Sequence, residues 1–277
     1  MPDKPTEDRF SARELILTLI DSTAATSLSA SYFVAAGQLF DMDPGSIRVA
    51  LARLLRDGSL AGEERGHYRL GSRAGTLNTL VRNWSKSEQS LVPWKGGWLS
   101  ILVGHLARTN RSRVRANERA LRLYGFAEAG SGIWIRPDNL RQGLAEIHGA
   151  LIHLGLDERS LCARIDAFEP AGFIQPAALW NLDMLHTRYR DNIARLATSS
   201  NGLAELSDAA AARETLLLGR RVTRDILLDP LLPDELVDAE LRRQMVAAMH
   251  DYDRLGKSYW RAFFRAHQSG NAQKPAA

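Results

Sequence analysis

An α+β fold is predicted for this chain of 277 residues, and three observations predict it. Near the amino end, three short amphipathic helical patterns lead into an extended hairpin. The middle of the chain alternates in the order β, α, β, β, α, β. From Pro176 onward the apolar spacing is helical throughout. The expected divisions are 1–75, a connecting helix and linker over 76–93, a central domain over 94–170, and a helical domain over 171–277.

The first helix lies in "SARELILTLIDST", with Ser11 as N-cap, Glu14 completing a capping box, and Leu15, Ile16, Leu19 and Ile20 facing inward. After the connection "TAATSLS", the segment "ASYFVAAGQLFDM" reads as a second helix through Phe33, Ala36 and Phe40 or through Val34, Leu39 and Met42; the embedded Gly37 weakens its continuity. A third helix starts with Asp43 as N-cap and Pro44 at the first helical position, where a missing amide costs nothing, and stops at Gly58. Its inward face is Ile47, Ala50, Leu51, Leu54 and Leu55. At 100° per residue, Gly45, Val49, Ala52, Arg53 and Arg56 fall on the far side, with Arg48 at the flank.

"LAGEERGHYRLG" follows as two extended pieces joined around Arg65 and Gly66. Three helices and a hairpin in this order make a winged helix-turn-helix, whose third helix enters the major groove while the wing touches backbone. Guanidinium groups among small neighbours suit phosphate and guanine-edge contacts. The candidate DNA contacts are therefore Ser46, Arg48, Val49, Ala52, Arg53 and Arg56 on the helix, and Arg65, Gly66, His67 and Tyr68 at the wing. The competing reading is a solvated amphipathic helix in a protein-interaction adaptor.

Beyond the hairpin, "SRAGTLNTLVRNWSKSEQS" reads as a connecting helix ending in a polar linker. "WLSILVGHL" is a strand, "RSRVRANERALRLYGF" a helix, "FAEAGSGIWIRP" a hairpin turning at Gly130 to Gly132, "NLRQGLAEIHGALIHLG" a helix and "SLCARIDAF" a last strand. That order is the split βαβ arrangement of ferredoxin-like domains. Three helical stretches follow, with Pro230 and Pro233 breaking the pattern in "DPLLPDEL", and the tail "QSGNAQKPAA" is expected to fray.

The single cysteine, Cys162, excludes an intrachain disulfide and thiolate-rich zinc sites, and its apolar surroundings mark a structural thiol. The scattered histidines form no recognised metal pair, no nucleophile motif is present, and Asp251 with Asp253 reads as solvated charge. An enzyme and a bound cofactor are therefore not expected. No apolar run is long enough for a bilayer, and "MPDKPTEDRF" lacks a signal-peptide core, so a cytoplasmic protein without membrane attachment is expected. Net charge is +4, with 13 basic against 7 acidic residues over 76–165, 9 against 10 before and 14 against 15 after. A basic middle permits a polyanionic partner.

"IRVALARLLRDGSL", "RGHYRL", "LYGFAEAGSGIWIRPDNL" and "ILLDPLLPDEL", together with "SARELILTLID" and "WLSIL", resemble the PaaX family of repressors of phenylacetic acid degradation operons. The resemblance runs from about Ser11 to His267. It implies a homodimeric regulator that binds a double-stranded DNA operator and is released by phenylacetyl-CoA or a related acyl-CoA effector. On the family's pattern Arg48, Arg53 and Arg56 match the recognition helix, and Gly66 and Tyr68 the wing. The chain departs from the pattern with Glu63 and Glu64 in a shorter wing, Gly71 where threonine is common, and Val49, which can meet a thymine methyl but donates no hydrogen bond.

With that effector in view, Arg108, Arg111, Arg115 and Arg119, alongside Arg113 and Arg122, are candidates for its phosphates. The same arginines also fit added DNA-backbone contact or an ordinary solvated stripe. Trp134 and Trp260 are candidates for an aryl pocket, although Trp134 and Trp98 on strands also read as core. The central domain is also similar to the fold of CRISPR-associated Cas2 nucleases, which makes a metal-dependent nuclease a rival reading. The Asp-x-Pro usual in the PaaX family after the first strand is replaced here by Gly104, His105 and Leu106, so "SILVGHL" offers no carboxylate where such nucleases carry an aspartate, and Mg²⁺ requires hard oxygen ligands.

Overall fold

The computed structural model describes residues 10–22, 27–73, 84–106, 109–169, 172 and 174–272. The chain is α+β, with two antiparallel sheets among the described residues. Its contacts divide it into two units: Met1–Arg82 with Leu196–Arg221 and Met249–Ala277, and Asn83–Arg195 with Val222–Ala248. The helix expected to open the connection at 76–83 lies outside the described residues, and Trp84–Ser90 forms a 3-10 turn.

In the first unit, α1 (Ala12–Ser22) begins at the expected capping box. Ser11 N donates to Glu14 Oε2 at 2.9 Å, and Glu14 N to Ser11 Oγ at 3.2 Å. A short strand, β1 (Leu28–Ser29), stands where the sequence pattern offers only a connection, because two residues are too few to display an alternation. Ser29 then caps α2 (Ala30–Gln38), its Oγ accepting from Tyr32 N at 3.3 Å. The helix ends four residues before the expected Met42, and the chain turns at Asp41 with φ 56°. Gly37 has a packing role: a Cβ there would stand 2.8 Å from Ile47 Cγ1, so its absence lets α2 and α3 (Pro44–Arg56) approach closely.

Two strands, β2 (Leu60–Glu63) and β3 (His67–Leu70), form the expected hairpin, joined by a 3-10 turn at Glu64–Gly66. The sheet order is β1-β3-β2. The core of the unit joins Leu15, Ile16, Leu19, Phe33, Ile47 and Leu54 to Ala212, Leu216, Trp260 and Phe264 from the carboxyl-terminal helices. Those helices are α8 (Asp208–Leu227) and α9 (Ala239–Ala272), both of which run through the two units. Tyr32 and Trp260 both stack on Phe264. Arg220 places its guanidinium over Phe10 while binding Glu14 at 2.8 Å. The final helix extends to Ala272, into the tail expected to fray.

The second unit contains β4 (Trp98–Leu102), α4 (Arg111–Leu123), β5 (Ala127–Gly130), β6 (Ile133–Pro137), α5 (Leu144–His153) and β7 (Leu161–Ile165). Its sheet has the order β5-β6-β4-β7, every neighbour antiparallel. Leu99, Ile101 and Trp134 bury one face against Leu121, Ile147 and Leu151 of the two helices. A helix expected to be continuous from Ala177 is split into α6 (Pro176–Trp180) and α7 (Leu182–Gly202) by Asn181, whose φ is 47°.

Two buried arginines pin the segment that the prolines break. Arg136 donates to the carbonyls of Tyr124 and Pro137 and to Asn139 Oδ1, and Asn139 Nδ2 donates to Leu231 O at 2.8 Å. Burial pulls the Arg136 pKa down to about 10, so it stays charged at neutral pH. Arg242 donates to Glu88 Oε1 and to Leu232 O, each at 2.7 Å, while Tyr189 donates to buried Asp229 at 2.5 Å. Most of their donors and acceptors are matched inside, which lets them tolerate burial, while Arg242 Nη2 is buried with no hydrogen-bond partner among the described residues.

Within the first unit, Leu54 is fully buried and Val49, on the same helix, is 51% exposed. Leu54→Ala is expected to cost about 2–5 kcal/mol in urea unfolding, and Val49→Ala to remain within about 0.5 kcal/mol of the parent.

Candidate nucleic-acid interface

Local chemistry sets the α3 start. Asp43 Oδ2 accepts from Ser46 N at 3.1 Å, and a Cβ on Gly45 would come within 2.7 Å of that oxygen, so the glycine leaves the cap its space. At the other end Asp57 receives Arg13 Nη1 at 2.6 Å and the Ser59 amide at 2.9 Å. The hydrogen bonds from Ser59 and Arg13 hold the Asp57 carboxyl down to about 2. This ties the end of α3 to α1.

Between these anchors, Ile47, Leu51 and Leu54 are buried, and the opposite face is open. Ser46, Arg48, Val49, Ala52, Arg53 and Arg56 are all exposed. Arg48, Arg53 and Arg56 form no ion pair with a described residue, whereas Arg13 and Arg69 do. A helix surface with three exposed guanidinium groups around Val49 and Ala52 is cationic and narrow, and it can approach an anionic groove without breaking an ion pair among the described residues. Leu55, expected in the core, is instead 37% exposed at the margin beside β2, where a Cβ on Gly62 would lie 3.8 Å from its Cδ2.

The hairpin is less cationic than the helix. Glu63 and Glu64 are exposed, and Glu63 pairs with Arg69 at 3.2 Å. His67 and Tyr68 are half-buried, and Tyr68 leans edge-on against Phe33 with ring centroids 6.3 Å apart. Gly66 turns with φ 72° and has open space around it. The side chain of Arg65 lies outside the described residues.

The second group of candidates is distributed rather than assembled. Arg111, Arg115 and Arg119 are exposed along α4, Arg113 approaches Asp157 at 3.6 Å, and Arg108 lies outside the described residues. Arg122 sits over the Trp134 ring at 5.2 Å. Trp134 is buried in the core of the second unit and Trp260 in the core of the first. A small cleft beside Trp134 is lined by Val103, Gly104, Val114, Glu118 and Glu128, and its two carboxylates have the same sign of charge as a phosphate. The sequence pattern marked Gly37 only as an interruption in a helical run, and it did not single out β1 or the Arg13–Asp57 pair.

Because Gly66 adopts a left-handed conformation with free space around it, Gly66→Ala is expected to cost about 1–2 kcal/mol from backbone strain alone, with Gly66→Asn costing less. Denaturant unfolding of the two variants measures the difference.

No family model matches this chain, and no curated protein matches it. Among solved structures it is similar to one described as the uncharacterized protein Rv0674 from Mycobacterium tuberculosis, with 22% identity and a TM-score of 0.65. The match covers 91% of this chain and 98% of the other. The two chains share a fold.

Proposed function

We propose that the protein is a DNA-binding transcriptional repressor of the PaaX type, acting on genes for aromatic-acid catabolism. The observation that carries this reading is the outer face of α3, where Arg48, Arg53 and Arg56 are exposed and free of ion pairs with described residues. The first unit is read as a winged helix: α1, β1, α2, α3 and the β2–β3 hairpin follow one another in the order such a domain requires. The four-stranded order β5-β6-β4-β7, with α4 and α5 on one face, supports a ferredoxin-like reading of the second.

In this reading α3 enters the major groove. Arg48, Arg53 and Arg56 meet guanine edges or phosphates, Val49 meets a thymine methyl, and Ser46 and Ala52 allow close approach. The acidic wing contributes little to phosphate binding. A homodimer would set two α3 helices about 34 Å apart, one helical turn of duplex. The effector is an aryl-CoA thioester such as phenylacetyl-CoA, with Arg111, Arg115 and Arg119 as its candidate phosphate contacts. It need only prefer the released state, and each tenfold of preference corresponds to about 1.4 kcal/mol. The protein acts in the cytoplasm and catalyses no reaction.

Arg56→Ala is expected to weaken operator binding and, for a phosphate contact, to reduce the slope of log K against log salt by about one unit; unchanged affinity and slope would remove Arg56 from the interface. Calorimetry against phenylacetyl-CoA and free CoA is expected to give heat with the thioester and less with CoA. Silence with both discards this effector.

A further inference from the structure

We infer that the outer edge of β7 is the pairing edge for a second copy of this chain, joining two four-stranded sheets into one across a two-fold axis at Ala163. This deepens the dimer in the proposed function and rests on that reading. The backbone directions follow from hydrogen bonds already formed. Val103 N donates to Gly132 O at 2.8 Å, and Asp138 N to Gly97 O at 3.0 Å. The odd-numbered residues of β4 therefore turn their amides and carbonyls toward β6, and Trp98, Ser100 and Leu102 turn theirs toward β7. Their partners there are Ile165, Ala163 and Leu161. That leaves Cys162 and Arg164 directing N–H and C=O away from the sheet, where no described backbone group meets them.

This edge carries little of the protection that isolated edges show. The strand "LCARI" contains no proline or lysine, its one charged side chain is held by Asp138 at 2.6 Å, and Leu161 is 57% exposed. It is self-complementary in one register. With the axis at Ala163, Cys162 and the partner's Arg164 exchange both backbone hydrogen bonds, as do their symmetry mates. Leu161 then lies beside the partner's Ile165 on the same face.

The neighbouring registers are worse. Centring the axis on Arg164 sets two guanidinium groups opposite one another. Centring it on Cys162 brings in Ser160, whose N–H is already given to Asp157 O at 2.9 Å.

The test uses the full chain carrying Cys162→Ala and Ala163→Cys. Residues paired across the axis at a non-hydrogen-bonded position stand about 4.5 Å apart at Cα, within reach of a disulfide. Mild oxidation is expected to yield a covalent dimer on a non-reducing gel, while a chain carrying Cys162→Ala and Glu158→Cys, with Ala163 kept, does not cross-link. Arg164→Pro removes an outward N–H together with the exposed ion pair to Asp138 and is expected to sediment as a monomer with unchanged circular dichroism. A parent that sediments as a monomer overturns both the dimer and this interface. A parent dimer whose Cys at 163 stays reduced, or a folded Arg164→Pro that remains dimeric, overturns the interface alone; if Arg164→Pro does not fold, the cross-link decides.

Discussion

The close packing of α3 against α1 and α2 is the constraint from which the candidate site follows. Ile47, Leu51 and Leu54 are consumed by the core, and Gly37 removes the one side-chain atom that would hold α2 away from Ile47. Once that stripe is buried, the helix has no rotational freedom, and its arginines must face outward. Asp43 and Asp57 then fix the two ends, so the exposed face is presented by a rigid element rather than a loop. Rigid presentation matters for reading a groove, because ordering a mobile segment on binding would offset part of the contact energy.

The carboxyl-terminal helices are part of this arrangement. Trp260 and Phe264 of α9 share a core with the first three helices, and Tyr32 of α2 stacks on Phe264. Nearer the start of the same helix, Arg242 is buried against Glu88 and Leu232. Charge and hydrogen bonding hold that end of the helix, and aromatic packing holds the other. Removing one partner of a buried charge costs more than the pair contributes.

Much of this was legible in the sequence where local chemistry decides the outcome. Ser11 with Glu14, Asp43 with Pro44, and the glycines of both hairpins mark ends and turns that the chain adopts. The inner face of α3 was legible from spacing except at Leu55, where position on the wheel gives angle but not depth. What escaped depends on distant partners. Two residues of β1 acquire strand geometry only by pairing with β3. Arg136, in a run of apolar strand residues, finds its acceptors in Tyr124, Pro137 and Asn139. Asn181 divides a helical pattern through a left-handed turn that its periodicity does not register.

The central claim, that the outer face of α3 lies in a major groove, is tested most directly by dimethyl sulfate protection of guanine N7 on duplex DNA from upstream of the protein's own gene. The account predicts protected guanines in two clusters about ten base pairs apart, with protection lost in a chain lacking the arginines at 48, 53 and 56. Guanines that stay fully reactive at saturating protein, or protection that survives loss of those three side chains, would contradict it.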